Sequence, residues 1–389
     1  MLKKHEKIVY DYIIAGSGCA GLSLLYRLIN NPVLKNKKIL VIDKSEKIAN
    51  DRTWCFWEKG KGVFESIVTH QWKKLEFKTS SFNKTFDLNQ YSYKMIKGLD
   101  FYNLVLNFAK KFNNVTFKFE EVQKIETDVD HAKVKTEKGN YLAQFVFNST
   151  PIFNPKMDAS NSLLQHFEGW VIKTKKAKFN NEVGTLMDFS VSQKHGTTFM
   201  YVLPTSAHEA LIEYTLFTEK LLDKEDYRIA LEKYIKEDLK IDNYEILHQE
   251  FGIIPMSLAK FLRNPKAEKR IINIGTAGGF TKASSGYTFQ FIQKNTEKII
   301  HNLLLGKSPN PEITFRESMY QWYDRTVLEV IISKKMQGKD IFYKMFKKLS
   351  IEQILKFLGN ESSLTDDLRI ISSLPVKPFL IAGIKRLSK

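Results

Sequence analysis

The chain has 389 residues, 43% of them hydrophobic and 26% charged, which excludes wholesale disorder and leaves room for two or three cores. Its 19 Gly and 10 Pro are too few for a collagenous or linker-dominated chain, and two cysteines, Cys19 and Cys55, make neither a disulfide framework nor a Cys-rich zinc site. The 60 basic against 43 acidic residues give +17, a field that favours an anionic partner, either nucleic acid or a membrane face carrying anionic lipid.

Residues 1–28 bring lysines and then an apolar run. Asp11 interrupts that run and Gly16, Gly18 and Gly21 stud it, so a strand and turn are expected rather than a secretory leader. Residues 8–15 read as a buried strand, and Leu22, Leu25, Leu28 and Ile29 then recur at helical spacing. Residues 39–42 form a second apolar strand ending at Asp43, which completes the opening of a doubly wound α/β sheet. A helix is expected over 103–111 and strands over 115–119, 132–136 and 141–147, the last halting at Asn148-Ser149-Thr150-Pro151 as a central strand does at a ligand edge.

From about 157 to 261 the pattern changes. Alternating, aromatic-rich strands at 199–203 and 210–216 flank a helix at 224–238, which reads as a second, mostly antiparallel layer. A strand at 271–274 then runs into Gly275-Thr276-Ala277-Gly278-Gly279 and a helix at 288–305, repeating the first motif's grammar. The expected organisation is a discontinuous dinucleotide-binding, Rossmann-like domain (1–75, 95–155 and 268–311), a substrate domain (76–94 and 156–267) and a helical, basic C-terminal region (312–389). No stretch approaches the ~20 uninterrupted apolar residues of a spanning helix.

Gly16-Ser17-Gly18-Cys19-Ala20-Gly21 is a GxGxxG between a strand and a helix. The first glycine permits the tight turn, the second admits a pyrophosphate, the third lets helix and strand pack closely, and the helix N-terminus favours phosphate charge. Asp43 follows 22 residues after Gly21, where a carboxylate would accept from ribose hydroxyls, with Lys44 beside it; an acid here argues against a 2′-phosphate. NAD and FAD both fit that fingerprint. The second glycine cluster, more than 250 residues later, resembles the late loop of flavin enzymes and favours FAD.

Asp51-Arg52-Thr53-Trp54-Cys55-Phe56-Trp57 resembles a segment of the bacterial, flavin-dependent lycopene cyclases. Four further segments agree in order: Leu186-Met187-Asp188-Phe189 with Phe199-Met200-Tyr201-Val202-Leu203-Pro204, then Ala210-Leu211-Ile212-Glu213-Tyr214-Thr215, then Gly252-Ile253-Ile254-Pro255-Met256, then 274–287. The resemblance spans roughly residues 8–359. It implies a fold similar to flavin hydroxylases and geranylgeranyl reductases, with FAD used in reduced form and NAD(P)H as the electron source. It implies a flavin site built from Gly16, Ser17, Gly18, Cys19, Ala20, Gly21, Asp43, Lys44, Gly275, Thr276, Gly278, Gly279, Gly286 and Tyr287. It also implies cyclisation of the open ends of lycopene to ionone rings, giving β-carotene, without net redox change. Thr276 stands where flavin hydroxylases carry Asp, which favours cyclase over the alternatives of isoprenoid reductase and hydroxylase.

Such chemistry needs a proton donor in a dry pocket, because an acid must protonate an alkene to start ring closure. Glu213, preceded by Ala210-Leu211-Ile212, is the candidate, and the resemblance assigns it the catalytic role. Trp54, Phe56, Trp57 and Tyr287 are candidates for holding positive charge on their faces, or else core; Asp188 is either a second site carboxylate or the holder of a strand-end turn. The eight histidines show no metal spacing, so no metal is expected. Ile341, Phe342, Met345, Phe346 and Leu349 share one helical face amid Lys334, Lys335, Lys339, Lys344, Lys347 and Lys348. This reads as an interfacial helix on an anionic membrane surface, extended by the apolar tail 375–384, with the protein peripheral on the cytoplasmic face. Nucleic acid is not expected as a partner, since no recognition motif accompanies the lysines.

Overall fold

The computed structural model describes residues 8–265 and 268–387. Residues 1–7 of the segment weighed as a leader, 266–267 at the end of the expected substrate domain and 388–389 of the basic region lie outside them. The chain opens with β1 (Val9–Ala15), α1 (Cys19–Asn30) and β2 (Ile39–Asp43), then lays down β3 (Thr53–Glu58), β4 (Val68–Trp72), β5 (Lys74–Thr79), β6 (Phe82–Asp87) and β7 (Ser92–Lys97). After α2 (Gly98–Ala109) come β8 (Val115–Phe119), β9 (Val122–Thr127), β10 (Ala132–Thr136) and β11 (Asn140–Asn148). Then follow β12 (Ser162–Lys173), β13 (Val183–Asp188), β14 (Thr197–Pro204), β15 (Glu209–Thr218), α3 (Lys224–Glu237), β16 (Glu245–Ser257) and β17 (Ile271–Asn273). Helices close the chain: α4 (Phe289–Leu304), α5 (Phe315–Ile332), α6 (Gly338–Lys348), α7 (Ile351–Leu358), α8 (Leu364–Ser373) and α9 (Val376–Leu387).

The first sheet runs β8-β2-β1-β11-β10-β9, with β17 also on β11. The β8, β2, β1, β11 and β17 pairings are parallel, and β10 pairs antiparallel with both β9 and β11. Central parallel strands are covered on both faces, which is why 39–42 is apolar without alternation. Ile14 and Val41 pack with α1, α2 and α4, while Ile13, Leu40 and Ile42 meet Ile125 and Val134 on the opposite face. This is the α/β, doubly wound layer expected from the sequence, re-entered by the chain at β17.

The second sheet runs β16-β12-β15-β14-β13-β5-β6. It is antiparallel except where β5 pairs in parallel with β13. Its β5–β6 hairpin comes from the first quarter of the chain. The strands around Phe199 and Ala210 form a consecutive pair, β14 and β15, both ahead of α3; the strand after α3 is β16, which the sequence reading left unassigned. Trp170, Ile212 and Tyr214 on one face pack against Tyr227, Leu231 and Tyr234 of α3. A three-stranded sheet, β3-β7-β4, bridges the region. The expected helix at 103–111 begins earlier, at Gly98, because the carbonyl of Arg52 accepts the Gly98 N–H at 2.6 Å and holds the first turn.

One expectation needs correction. The apolar face of α6 does not meet a membrane. Phe346 is stacked on Phe77 with ring centroids 4.1 Å apart, and Phe342 on Phe189 at 5.8 Å. Ile341, Met345 and Leu349 are buried in the same core as β5, β13 and β14. Lys347 and Lys348 are solvated on the opposite side. A helix packed on its own domain and one lying on lipid share the same amphipathic pattern, and here the sheet supplies the apolar partner.

Candidate functional site

The turn from β1 into α1 is shaped by its glycines. Gly16 has φ +101°, and a Cβ there would lie 2.2 Å from Ser149 Oγ; a Cβ on Gly21 would lie 1.9 Å from the Gly16 carbonyl oxygen. A Cβ on Gly18 would meet no protein atom within 4 Å. Gly18 is the N-cap of α1 and provides no side-chain cap, so the first N–H groups of the helix face the opening with the positive end of its dipole. Two of the three glycines serve packing, and the middle one leaves room for a ligand.

Asp43 ties this loop together. Its Oδ2 accepts the Ser17 N–H at 2.7 Å and the Ser17 hydroxyl at 2.9 Å, its Oδ1 accepts the Ser45 N–H at 3.0 Å, and Lys47 stands 3.5 Å away. Burial alone would raise its pKa, but the Ser17 N–H, Lys47 and Ser45 outweigh that and hold it below the usual carboxylate range. The acid is thus ionised and already organises the loop. Cys19 is no thiolate: burial pushes its thiol up to about 12, against a hydrogen bond with Ser23.

The second loop docks on the first. Gly275, with φ +60°, approaches so closely that a Cβ would come 2.9 Å from Ala20 Cβ. Gly279 closes the short helical turn 275–278 in the left-handed region. Tyr287 stands edge-on to Trp57, with centroids 4.6 Å apart, and Trp57 Nε1 donates to the Leu355 carbonyl at 3.1 Å. Phe56 is core, stacked on Phe289 at 4.2 Å.

A single cavity of about 760 Å³, within the range of ligand pockets, joins both loops to the second sheet. Gly16, Gly18, Cys19, Ala20, Asp43 and Lys44 line it from the first loop, and Gly275, Thr276, Gly286 and Tyr287 from the second. Ser17, Gly21, Gly278 and Gly279 shape the loops behind that lining. At the far wall are Tyr201, Leu211 and Glu213, with Trp54 and Cys55 of β3 opposite. Gln165 Oε1 and Ser285 Oγ are buried here without a hydrogen-bond partner in the protein, which marks a wall suited to a polar ligand. An open middle glycine, an uncapped helix N-terminus and these unpartnered atoms fit a dinucleotide cofactor.

Glu213 is half-buried, its carboxyl opening into the cavity rather than to bulk water. Desolvation and the neighbouring Glu250 carboxylate push it up to about 8, against the Thr215 hydroxyl that donates to Oε1 at 2.7 Å. It therefore holds a proton at neutral pH. Asp188 lies elsewhere: Tyr234 Oη donates to it at 2.7 Å and the Ser190 N–H at 2.9 Å, so it holds a strand-end turn against α3. Glu250 is the residue that sequence reasoning missed. Buried and bonded to Thr53 Oγ1 at 2.7 Å, it precedes by two residues the Gly252–Met256 segment that had attracted notice. Among the described residues no cluster of His, Cys, Asp and Glu could hold a metal ion.

Similar solved structures share this architecture at low identity. A geranylgeranyl bacteriochlorophyll reductase-like protein of Thermoplasma acidophilum superposes with TM-score 0.63 at 12% identity, over 97% of this chain and 99% of that one. A Klebsiella pneumoniae HpxO variant complexed with FAD does so with TM-score 0.61 at 14% identity, over 94% and 100%. In sequence, the chain is 21% identical over 388 residues to a lycopene beta-cyclase of Pantoea ananas, covering 96% of this chain and 97% of that protein. The profile of the family described as lycopene cyclase protein matches residues 11–382. With nearly its whole length matched and the glycine loops, β3 and Glu213 meeting at one cavity, this chain belongs to the lycopene cyclase family.

Proposed function

We propose that this enzyme binds FAD across its two glycine loops and closes the acyclic ends of lycopene into β-ionone rings with no net redox change. The observation that carries the reading is the continuity of the cavity from the GxGxxG turn to the half-buried carboxyl of Glu213, which burial and Glu250 push up to about 8. Gly16, Gly18 and the start of α1 would hold the pyrophosphate, Asp43 and Lys44 the ribose end, and Gly275, Thr276, Gly286 and Tyr287 the ring end. When bound in reduced form, with NAD(P)H as the source of its electrons, FAD would supply negative charge to the site.

The residues of the chain perform the proton chemistry. Glu213 gives its proton to the terminal trisubstituted alkene: an O–H bond breaks, a C–H bond forms and a tertiary cation results. The neighbouring double bond attacks that cation and a six-membered ring closes. A ring proton then leaves to a carboxylate, so the protein ends with the protons it began with. Leu211, Tyr201 and Trp54 keep water from the cation.

A C40 hydrocarbon is delivered from a bilayer, and the surface proposed for it is α8–α9, on the cytoplasmic face of an anionic membrane. Leu364, Leu368 and Ile371 are exposed at i, i+4 and i+7 of α8; Val376, Leu380, Ile384 and Leu387 form a similar exposed row on α9. The opposite side of α9 is anchored to α5, where Trp322 Nε1 donates to the Gly383 carbonyl at 3.0 Å and Ala382 is buried. Lys377 and Arg369 border the rows. Among the described residues no helix is long and apolar enough to cross a membrane.

Expression in a lycopene-accumulating bacterium, followed by pigment chromatography and mass measurement, tests the function. Ring formation leaves the carotenoid mass unchanged. A product two mass units heavier would make the enzyme a reductase, and one sixteen heavier a hydroxylase.

A further inference from the structure

Four residues form one row across the second sheet. Tyr201 on β14 pairs with Glu213 on β15, Glu213 with Gly169 on β12, and Gly169 with Glu250 on β16. Directly opposed residues in antiparallel strands project to the same face, and two strand spacings separate the glutamates by roughly 10 Å of backbone. The intervening position is glycine. A Cβ on Gly169 would lie 3.3 Å from Glu250 Cγ and 3.5 Å from Glu213 Cγ, so both side chains lean over the space it leaves.

Glu250 is 6% exposed, and its Oε1 is buried with no partner, while Oε2 accepts from Thr53. A second acid placed this deep, on the row of the first, has no fold-building bond beyond that to Thr53. We propose that Glu250 is the positioning residue that keeps the proton on Glu213: across Gly169 its negative charge disfavours a second charge, so the pair carries one proton, held on Glu213, with no hydrogen bond between the two carboxyls. The inference deepens the cyclase reading and rests on it for the use to which the proton is put.

The surroundings divide the two groups in that sense. Cys55, Tyr93, Tyr201, Tyr287 and Glu250 are the titratable groups that face Glu213, and each of the four thiol and phenol groups is itself pushed up by burial and by that carboxyl. None supplies Glu213 with a positive charge. Glu250 is likewise raised by burial, but the Thr53 hydroxyl and Arg52 act against the rise while Asp51 adds to it. Glu250 therefore ionises first, and its charge makes the second ionisation harder.

Infrared titration of the carboxyl stretch in the purified protein reads this directly. The band lost in Glu213→Gln should persist through neutral pH and disappear near pH 8. In Glu250→Gln, whose amide oxygen can still accept from Thr53, its midpoint should move to lower pH by about one pH unit. The alkaline limb of ring formation should move with it, and flavin content should stay unchanged. An unmoved midpoint overturns the proposal. If Glu250→Gln does not fold, the wild-type spectrum decides: two separated carboxyl steps support the coupling, and one coincident step refutes it. Absence of any cyclised product from the wild type would instead strike the cyclase reading, and the infrared result would still stand.

Discussion

The carbonyl oxygen of Gly16 covers Gly21 so closely that a Cβ on Gly21 would sit 1.9 Å from it, whereas a Cβ on Gly18, three residues earlier, would meet nothing within 4 Å. One turn thus contains a glycine required by the protein and another required by what the protein holds. Gly21→Val should impair folding itself, seen as insoluble product or a lowered melting temperature. Gly18→Val should melt like the flavin-free wild type and fail to retain flavin. A yellow Gly18→Val protein would refute the placement of the pyrophosphate.

Removing the exchangeable acid should silence the chemistry and spare the fold. Glu213→Gln is expected to lower ring formation by ~10²–10⁴ with flavin retained. Pigment yield and the absorbance of the purified variant check the two halves separately. Loss of both would mark Glu213 as structural.

The same residue sets a pH dependence of stability. Between the ordinary carboxylate range and about pH 8 the folded protein holds a proton that the unfolded chain has released, so stability falls as pH rises through that window. Above it the wild type bears the full cost of a buried charge beside Glu250. Glu213→Gln should match the wild type in acid and exceed it in alkali by on the order of a few kcal/mol, as denaturant melts at the two extremes would show.

Phe346, stacked on Phe77, is a core residue and should behave as one. Phe346→Ala is expected to cost ~3–5 kcal/mol of stability. An interfacial side chain would cost little in solution, so a small loss would reinstate α6 as a lipid contact.

Lipid contact is expected at α9. Leu380→Ser with Ile384→Ser should leave the melting temperature nearly unchanged and weaken co-sedimentation with anionic vesicles. Lys344, Lys347 and Lys348 changed together to Glu would weaken binding only through the general field, and raised salt should mimic that change. Undiminished binding of the α9 variant would exclude this surface.

The parts of the fold that could be read beforehand are those whose neighbours dictate a simple pattern. The buried stretches of β1 and β2, Tyr12 to Ala15 and Ile39 to Ile42, are apolar without alternation because both faces are covered, and Gly16, Gly18 and Gly21 carry their geometry in their lack of a side chain. Strands β4 to β7 are only five or six residues long; β5 alternates cleanly, but β6 is mostly exposed and β7 is buried on both faces, so the group has no common period. Lys94 illustrates the difficulty: it is 1% exposed, paired with Glu58 at 3.1 Å, and reads as surface in the sequence. Glu213 was legible through the resemblance, but Glu250 is visible only once register brings both to Gly169. The face of α6 was correctly seen as apolar, and its partner, a sheet rather than a bilayer, is a tertiary fact that no local pattern encodes.

The parallel pairing of β17 with β11, Val146 to Ile271 and Asn148 to Asn273, has a consequence for biosynthesis. The GxGxxG turn leaves the ribosome early, but its opposing loop begins at Gly275, after the whole antiparallel sheet has been made. Such a long-range closure is slow to form, because chain entropy is lost before the contact rewards it. A nascent chain released at residue 265 should therefore have no affinity for flavin, which equilibrium dialysis of that truncated product would test. Cofactor capture would then wait on this closure, and a chain short of cofactor would accumulate as an apoprotein with its strands already made rather than as an early intermediate.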